Sequence, residues 1–268
     1  MFTSIYPLQY FAERVGGDTV SVHSMVRAGA EVHSFEPSPA DLQRLAGADL
    51  LLLNGLGIEP WADRTLDALG DAAPRTISLG EALEDQAEAS AEVDDPHLWL
   101  DPLTAIAQAK LVAEALSIAN PDSAAQYAAN ALPLLGDLQD LHEEFQTTLS
   151  ECAHRTFVTT HAAYGHLAGR YGLEQISVTG LSPEAEPSAR HLAELAELIA
   201  DRGIEHILAE PSLSDRYAET IARESGADIL ELHQIGSVTS AELEEHGDYL
   251  GLMRDNLASL SLALGCAS

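Results

Sequence analysis

Residues 37–55 read PSPADLQRLAGADLLLLNG, and their order decides the fold. Pro39–Ala46 carries apolar side chains at helical spacing, and Leu50–Asn54 is an apolar run of strand length. The same alternation extends outward on both sides. Thr3–Tyr6 and Val20–Met25 read as strands around a helical Leu8–Val15, and Thr76–Ser78 as a further strand. Repeated strand and helix patterns of this kind build a parallel sheet covered by helices, so an α/β lobe is expected over residues 1–118. A second series follows, with strands expected at Thr156–Thr160, Gln175–Val178, His206–Ala209 and Ile229–His233. Helices are expected at Ala162–Tyr171, Ala189–Arg202, Ser214–Ser225 and Asp248–Leu264, giving a second α/β lobe over 152–268.

Between them, apolar residues from Tyr127 to Leu149 recur at three- and four-residue steps after the helix-starting Pro121-Asp122-Ser123. A long linker helix is therefore expected over 119–151, with Pro133 inside it. The stretch Glu81–Asp95 is acidic and alanine-rich, and reads as a surface helix and loop.

Charge narrows the function. Asp and Glu number 43 against 13 Lys and Arg, for a formal net charge of −30. Phosphate would be repelled, which excludes nucleic acid as a partner, while cations would be concentrated. A diffuse acidic, lysine-poor surface also serves solubility in high salt. No uninterrupted apolar run reaches the length of a membrane span. Nothing after Met1 resembles an export signal, so an exported form is expected to carry one ahead of residue 1. Cys152 and Cys266 are too few for a disulfide scaffold or a thiolate zinc site. In an oxidising compartment they are expected to pair, two buried thiols being the alternative. The segment from Asn54 to Trp61 lacks the third glycine and the lysine of a phosphate loop, and nucleotide binding is not expected.

Eleven histidines remain to be sorted. His142, His154, His191 and His246 fall on helix faces or ends, and His166 stands at a poor helical spacing from His161 for chelation. Four others fall where an α/β lobe presents ligands, just after strands. These are His33, His97 between two prolines, His161 directly after its strand, and His233 at the end of another. Imidazole suits zinc, copper or nickel, whereas manganese prefers carboxylate oxygen.

Several long motifs carry a specific likeness. IYPLQYFAERVGGD (5–18), AGAEVHSFEPSPADLQRLAGADLLLLNGLGIEPW (28–61), DPHLWLDP (95–102), FVTTHAAYGHLAGRYGL (157–173), VTGLSPEAEPSARHLAELAELI (178–199) and DYLGLMRDNLASLSLALGC (248–266) occur in one order. Over nearly the whole chain this sequence resembles the zinc- and manganese-binding family of ABC-importer solute-binding proteins. The resemblance implies two Rossmann-like lobes joined by a long helix, with a metal site in the cleft between them. It implies His33, in H-x-x-E-P, and His97, in P-H-x-W-x-D-P, as the first two ligands. His161 stands where zinc binders carry histidine and the manganese branch typically carries glutamate.

At the fourth position the sequence departs from the family. Relatives place a carboxylate in the segment corresponding to Leu232-His233-Gln234-Ile235-Gly236, and here His233 occupies that place. Glu231, Glu210 or a water completing three histidines are alternatives, and Glu210 could instead hydrogen-bond a ligand histidine. The reading is a monomeric, non-enzymatic, extracytoplasmic carrier of one Zn(II) per chain that serves an ABC-importer membrane permease. A manganese-binding or adhesin-type member of the fold is the near alternative. A zinc hydrolase, with an open coordination position and a base such as Glu210 or Glu231, is the remote one.

Overall fold

A computed structural model describes residues 1–86, 95–183, 186–211 and 216–267. The chain folds as two α/β units, the first comprising residues 1–140 and 235–249 and the second residues 141–234 and 250–268.

In the first unit the elements run β1 (Phe2–Thr3), α1 (Tyr6–Gly16), β2 (His23–Ser24), α2 (Pro39–Leu45), β3 (Leu50–Leu53), α3 (Ala62–Leu69), β4 (Arg75–Ser78), α4 (Leu79–Gln86) and α5 (Pro102–Ala119). The helix α6 (Ala124–Ser150) leads into the second unit. There follow β5 (Thr156–Thr159), α7 (Gly165–Tyr171), β6 (Glu174–Ser177), α8 (Ala189–Arg202), β7 (His206–Ala209), α9 (Arg216–Ser225) and β8 (Asp228–Glu231). Then α10 (Ser240–His246) belongs to the first unit again, and α11 (Tyr249–Leu264) runs through the second.

Both sheets are parallel, ordered β2-β1-β3-β4 and β6-β5-β7-β8. The four leucines of β3 are all buried, as a strand covered on both faces requires. Helix α1 buries Leu8, Phe11, Ala12 and Val15, the i, i+3, i+4, i+7 stripe of an amphipathic helix, and packs on α5. Helix α2 starts where Ser38 and Asp41 cap each other reciprocally, Ser38 N–H donating to Asp41 Oδ2 at 2.8 Å. In the second unit Val158, Ile207 and Ala209 meet Leu195, Ile199 and Ile221 from α8 and α9.

Every expected strand is present, and β3 to β8 fall within two residues of their expected bounds, as do the helices at Leu8–Val15, Pro39–Ala46 and Ala189–Arg202. The first two strands are shorter than expected: β1 stops at Thr3 because Tyr6 already opens α1, and β2 keeps only His23–Ser24 of Val20–Met25. The expected Ala162–Tyr171 helix starts later, at Gly165, because Ala162 and Ala163 are held by loop bonds to Gly180 and His161 carbonyls. Of the expected surface helix and loop at Glu81–Asp95, α4 accounts for the beginning, and residues 87–94 lie outside the described ones. Helix α6 is continuous through Pro133, which sits on an exposed face. Ala129, whose carbonyl loses its donor to that proline, is exposed too, so water can satisfy it.

The expected division at 118/119 and 151/152 differs from the observed units in two respects. First, α6 is shared between them rather than standing apart. Its apolar stripe runs from Tyr127 through Leu138 to Leu141, Phe145 and Leu149 without interruption, so no packing boundary coincides with its ends. Second, residues 235–249 leave the carboxy-terminal segment for the first unit. Tyr6 N–H donates to the Gly236 carbonyl at 3.0 Å, the Ser237 hydroxyl to the Arg27 carbonyl at 3.1 Å, and Tyr10 Oη–H to Asp248 at 2.9 Å.

Cys152 and Cys266 form a disulfide within the second unit. It joins the end of α6 to the end of α11, beside backbone bonds from Ala153 to Gly265 and from His154 to Leu264. No helix among the described residues is long and apolar enough to cross a membrane.

Candidate metal centre

Parallel sheets gather functional side chains at the carboxyl ends of their strands, and both units follow that rule. In the first, the segment after β2 is anchored by buried Val32 and Phe35, whose ring meets Trp61 edge-on with centroids 6.0 Å apart. These two anchors hold the segment that presents His33, half-buried between them.

His97 is fully buried and is fixed from several directions. Asp101 caps α5, accepting from Leu103 N–H at 3.3 Å and the Thr104 hydroxyl at 2.7 Å, and so fixes where the short helical turn Leu98–Leu100 ends. Tyr249 Oη–H donates to the Trp99 carbonyl. On the other side, Asn54 at the end of β3 donates from Nδ2 to the Pro96 carbonyl at 2.7 Å and accepts from Gln108 Nε2 at 2.9 Å. Asn54 is held in turn by Glu59, whose carboxylate accepts its N–H at 2.7 Å and that of Gly55 at 3.0 Å. Burial pushes the Glu59 carboxyl up to about 7, against hydrogen bonds from Ser4, Asn54 and Gly55 that favour its charged form.

Asp95 completes the arrangement. Its Oδ1 accepts from His97 N–H at 3.0 Å and lies 2.8 Å from His97 Nδ1. A carboxylate there keeps the proton on Nδ1 and leaves the Nε2 lone pair for a ligand. That Nε2 faces His33 Nε2 at 3.2 Å. Two ring nitrogens at this distance need a proton or a cation between them. Two zinc–nitrogen bonds of about 2.0–2.1 Å at a tetrahedral angle put their nitrogens roughly 3.3 Å apart, so the pair is spaced for zinc.

The second unit repeats the device. His161 follows β5, and its carbonyl accepts from the Thr159 hydroxyl at 2.7 Å, Gln175 Nε2 at 2.9 Å and Ala163 N–H at 3.0 Å. Its Nδ1 pairs with the Glu210 carboxylate, which follows β7, and both side chains are buried. A carboxylate paired with Nδ1 can act as a histidine partner, which would leave His161 Nε2 available to a metal. Tyr164, fully buried beside them, donates to the Leu232 carbonyl at 2.9 Å. Burial, with the Glu210 charge added, raises its phenol well above the usual range.

His233 lies two residues beyond β8, buried, with its backbone N–H and carbonyl both bonded to the Asn256 side chain at 2.7 Å. Glu231, the last residue of β8, is exposed while His233 is buried, so the two do not share an environment although they stand two residues apart. The chain has left the ladder by then. Of the other histidines, His142 Nδ1 lies 3.0 Å from Tyr171 Oη, and His191 Nε2 lies 3.2 Å from the Val178 carbonyl. Sequence reading assigned no role to Asp95, Asn54, Gln108 or Asn256. Of these only Asp95, two residues from His97 in the DPH turn, carried a local signal.

Residues 1–263 match the family described as zinc-uptake complex component A, periplasmic (ZnuA). The chain belongs to the ZnuA family. It is 30% identical over 275 residues to the high-affinity zinc uptake system protein ZnuA of Bacillus subtilis, covering 98% of this chain and 86% of that one. The zinc-binding lipoprotein AdcA of Streptococcus pneumoniae is 33% identical over 271 residues, 96% of this chain and 54% of AdcA. The chain thus spans about half the length of its AdcA relatives. Among solved structures, the Zn(II)-bound ZnuA-like domain of that AdcA superposes with a TM-score of 0.85 at 32% identity, covering 98% of each chain. The laminin-binding protein Lmb of Streptococcus agalactiae gives a TM-score of 0.85 at 31% identity, again over 98% of each.

Proposed function

We propose that this ZnuA-family chain is an extracytoplasmic solute-binding protein that captures one Zn(II) and delivers it to the membrane permease of an ABC importer. It acts as a monomeric carrier and performs no turnover. The observation that carries this reading is the His33–His97 pair, with its 3.2 Å nitrogen separation and the Asp95 carboxylate behind it. The names of the relatives agree, since the B. subtilis protein is a zinc uptake component and AdcA binds zinc.

The proposed ligands are His33 and His97 from the first unit with His161 and His233 from the second. Four neutral imidazoles favour zinc strongly over manganese, which prefers oxygen. Glu210, paired with His161, and Glu231, exposed, support His233 over either carboxylate as the fourth donor. Titrating zinc and manganese into metal-free protein against a competing chelator tests the reading. One zinc per chain, bound far more tightly than manganese, is expected. Preference for manganese at equal free concentrations, or no zinc binding, would overturn it.

A further inference from the structure

Among the described residues, strand β8 is an edge of the second sheet, paired with β7 alone. The last bond of that ladder runs from Leu232 N–H to the Ala209 carbonyl at 2.9 Å. One residue later comes His233, 4% exposed, and two residues after it Ile235 adopts φ +63°, a left-handed turn that is rare for a β-branched residue. A buried backbone at the end of an edge strand needs partners for its N–H and its carbonyl. One side chain supplies both for His233. Asn256 Oδ1 accepts from its N–H at 2.7 Å, and Asn256 Nδ2 donates to its carbonyl at 2.7 Å.

The carboxamide therefore behaves as a single peptide unit of an absent neighbouring strand. Asparagine suits this place chemically, because it offers one donor face and one acceptor face on a short stem. Aspartate would lose the donor, and an apolar side chain would leave two buried backbone groups unmatched. Asn256 sits on α11, is 2% exposed, and is flanked by buried Leu252, Met253, Leu257 and Leu260, which fix the helix face that carries it.

We propose that Asn256 is a positioning residue for metal binding: by standing in for the missing strand, it fixes the backbone from which the His233 imidazole is presented to zinc. This rests on the reading of His233 as the fourth ligand. Supporting partners of ligand histidines are worth about 10- to 100-fold in metal affinity, and an effect near tenfold is expected from one acting on backbone.

Zinc affinity measured by chelator competition in the wild type, His233→Ala, Asn256→Ala and the double variant tests the proposal. The expected result is weaker binding, by about tenfold, in Asn256→Ala, and no further loss when the same change is made in His233→Ala. The cobalt(II)-loaded form adds a second readout, since its visible absorption reports coordination geometry, and the Asn256→Ala spectrum should move toward that of His233→Ala. Should Asn256→Ala fail to fold, Asn256→Asp keeps the acceptor for His233 N–H, and the same weakening and spectral shift are expected from loss of the donor alone. Equal loss in both backgrounds would show that Asn256 acts independently of His233 and would overturn the proposal. Wild-type affinity in Asn256→Ala and Asn256→Asp, with His233→Ala weakened, would overturn it while leaving the ligand reading intact. Wild-type affinity in His233→Ala would overturn the ligand reading and the proposal together.

Discussion

His33 and His97 direct their Nε2 atoms at each other across 3.2 Å, and the Asp95 carboxylate holds the far nitrogen of the His97 ring. Under the proposed ligand set, removing either imidazole takes one of two preset donors from the metal. His97→Ala is therefore expected to lose zinc affinity by at least a hundredfold. Asp95→Asn, which keeps the shape but removes the charge that polarises the ring, should lose about 10- to 100-fold. Chelator competition with the purified variants measures both, and an unchanged Asp95→Asn would dismiss the carboxylate's part.

Glu210 stands in the same relation to His161 in the second unit. Glu210→Gln can bond the ring through its carbonyl without supplying charge, so the fold should persist while zinc binding weakens about tenfold or more. Thermal unfolding of the metal-free protein and zinc titration separate the two effects. If affinity and stability fell in step, Glu210 would be a packing residue only.

The disulfide from Cys152 to Cys266 spans 114 residues of sequence. Closing a loop of that length restricts the unfolded chain by up to about 5 kcal/mol in the chain-entropy account. Unreduced, denatured protein should show no free thiol. Cys152→Ser/Cys266→Ser should unfold at markedly lower urea while binding zinc normally once folded. Two titratable thiols in unreduced protein would contradict the pairing.

Buried Glu59 supplies a pH dependence whose sign follows from its shift. The carboxyl rises from 4.5 to about 7 on folding, chiefly by burial, so the folded protein holds that proton more tightly than the unfolded chain. Its contribution is complete below pH 4.5 and is lost as pH rises to about 7, on the order of 3 kcal/mol in all. Asp41 acts in the opposite sense. Burial opposes its charge, but bonds from Ser38, Arg44 and Arg27 outweigh that and hold its pKa well below the carboxylate range, so its contribution is lost as acid protonates it. Urea unfolding at pH 5 and pH 8 should show Glu59→Gln gaining on the wild type as pH rises. Parallel pH profiles for the two proteins would refute it.

Much of the candidate site was legible because its residues sit in motifs of short range. His33 in HSFEP, His97 in DPHLWLDP and His161 directly after a strand are readable by position, since strand ends in parallel sheets are where ligands emerge. Glu210 has two readings in the sequence, ligand or histidine partner, and its contact with His161 supports the second. Glu231, the other carboxylate considered for the fourth place, ends β8 on its exposed side, which the sequence around it does not announce. Asn54, Gln108 and Asn256 act at sequence distances of 42, 54 and 23 residues from their partners, and no local pattern announces bonds of that range.

What the sequence by itself determined is the succession of strands and helices, because apolar period and turn residues act over a few positions, and with it the α/β class and the strand-end histidines. Only the tertiary structure decided how the chain partitions. Residues 235–249 join the first unit because Gly236, Ser237 and Asp248 find their hydrogen-bond partners in Tyr6, Arg27 and Tyr10, more than two hundred residues earlier. The structure also decided which polar side chains hold the candidate histidines in place. A buried donor or acceptor must be matched wherever the fold brings a partner within reach, and that choice belongs to packing rather than to neighbouring sequence.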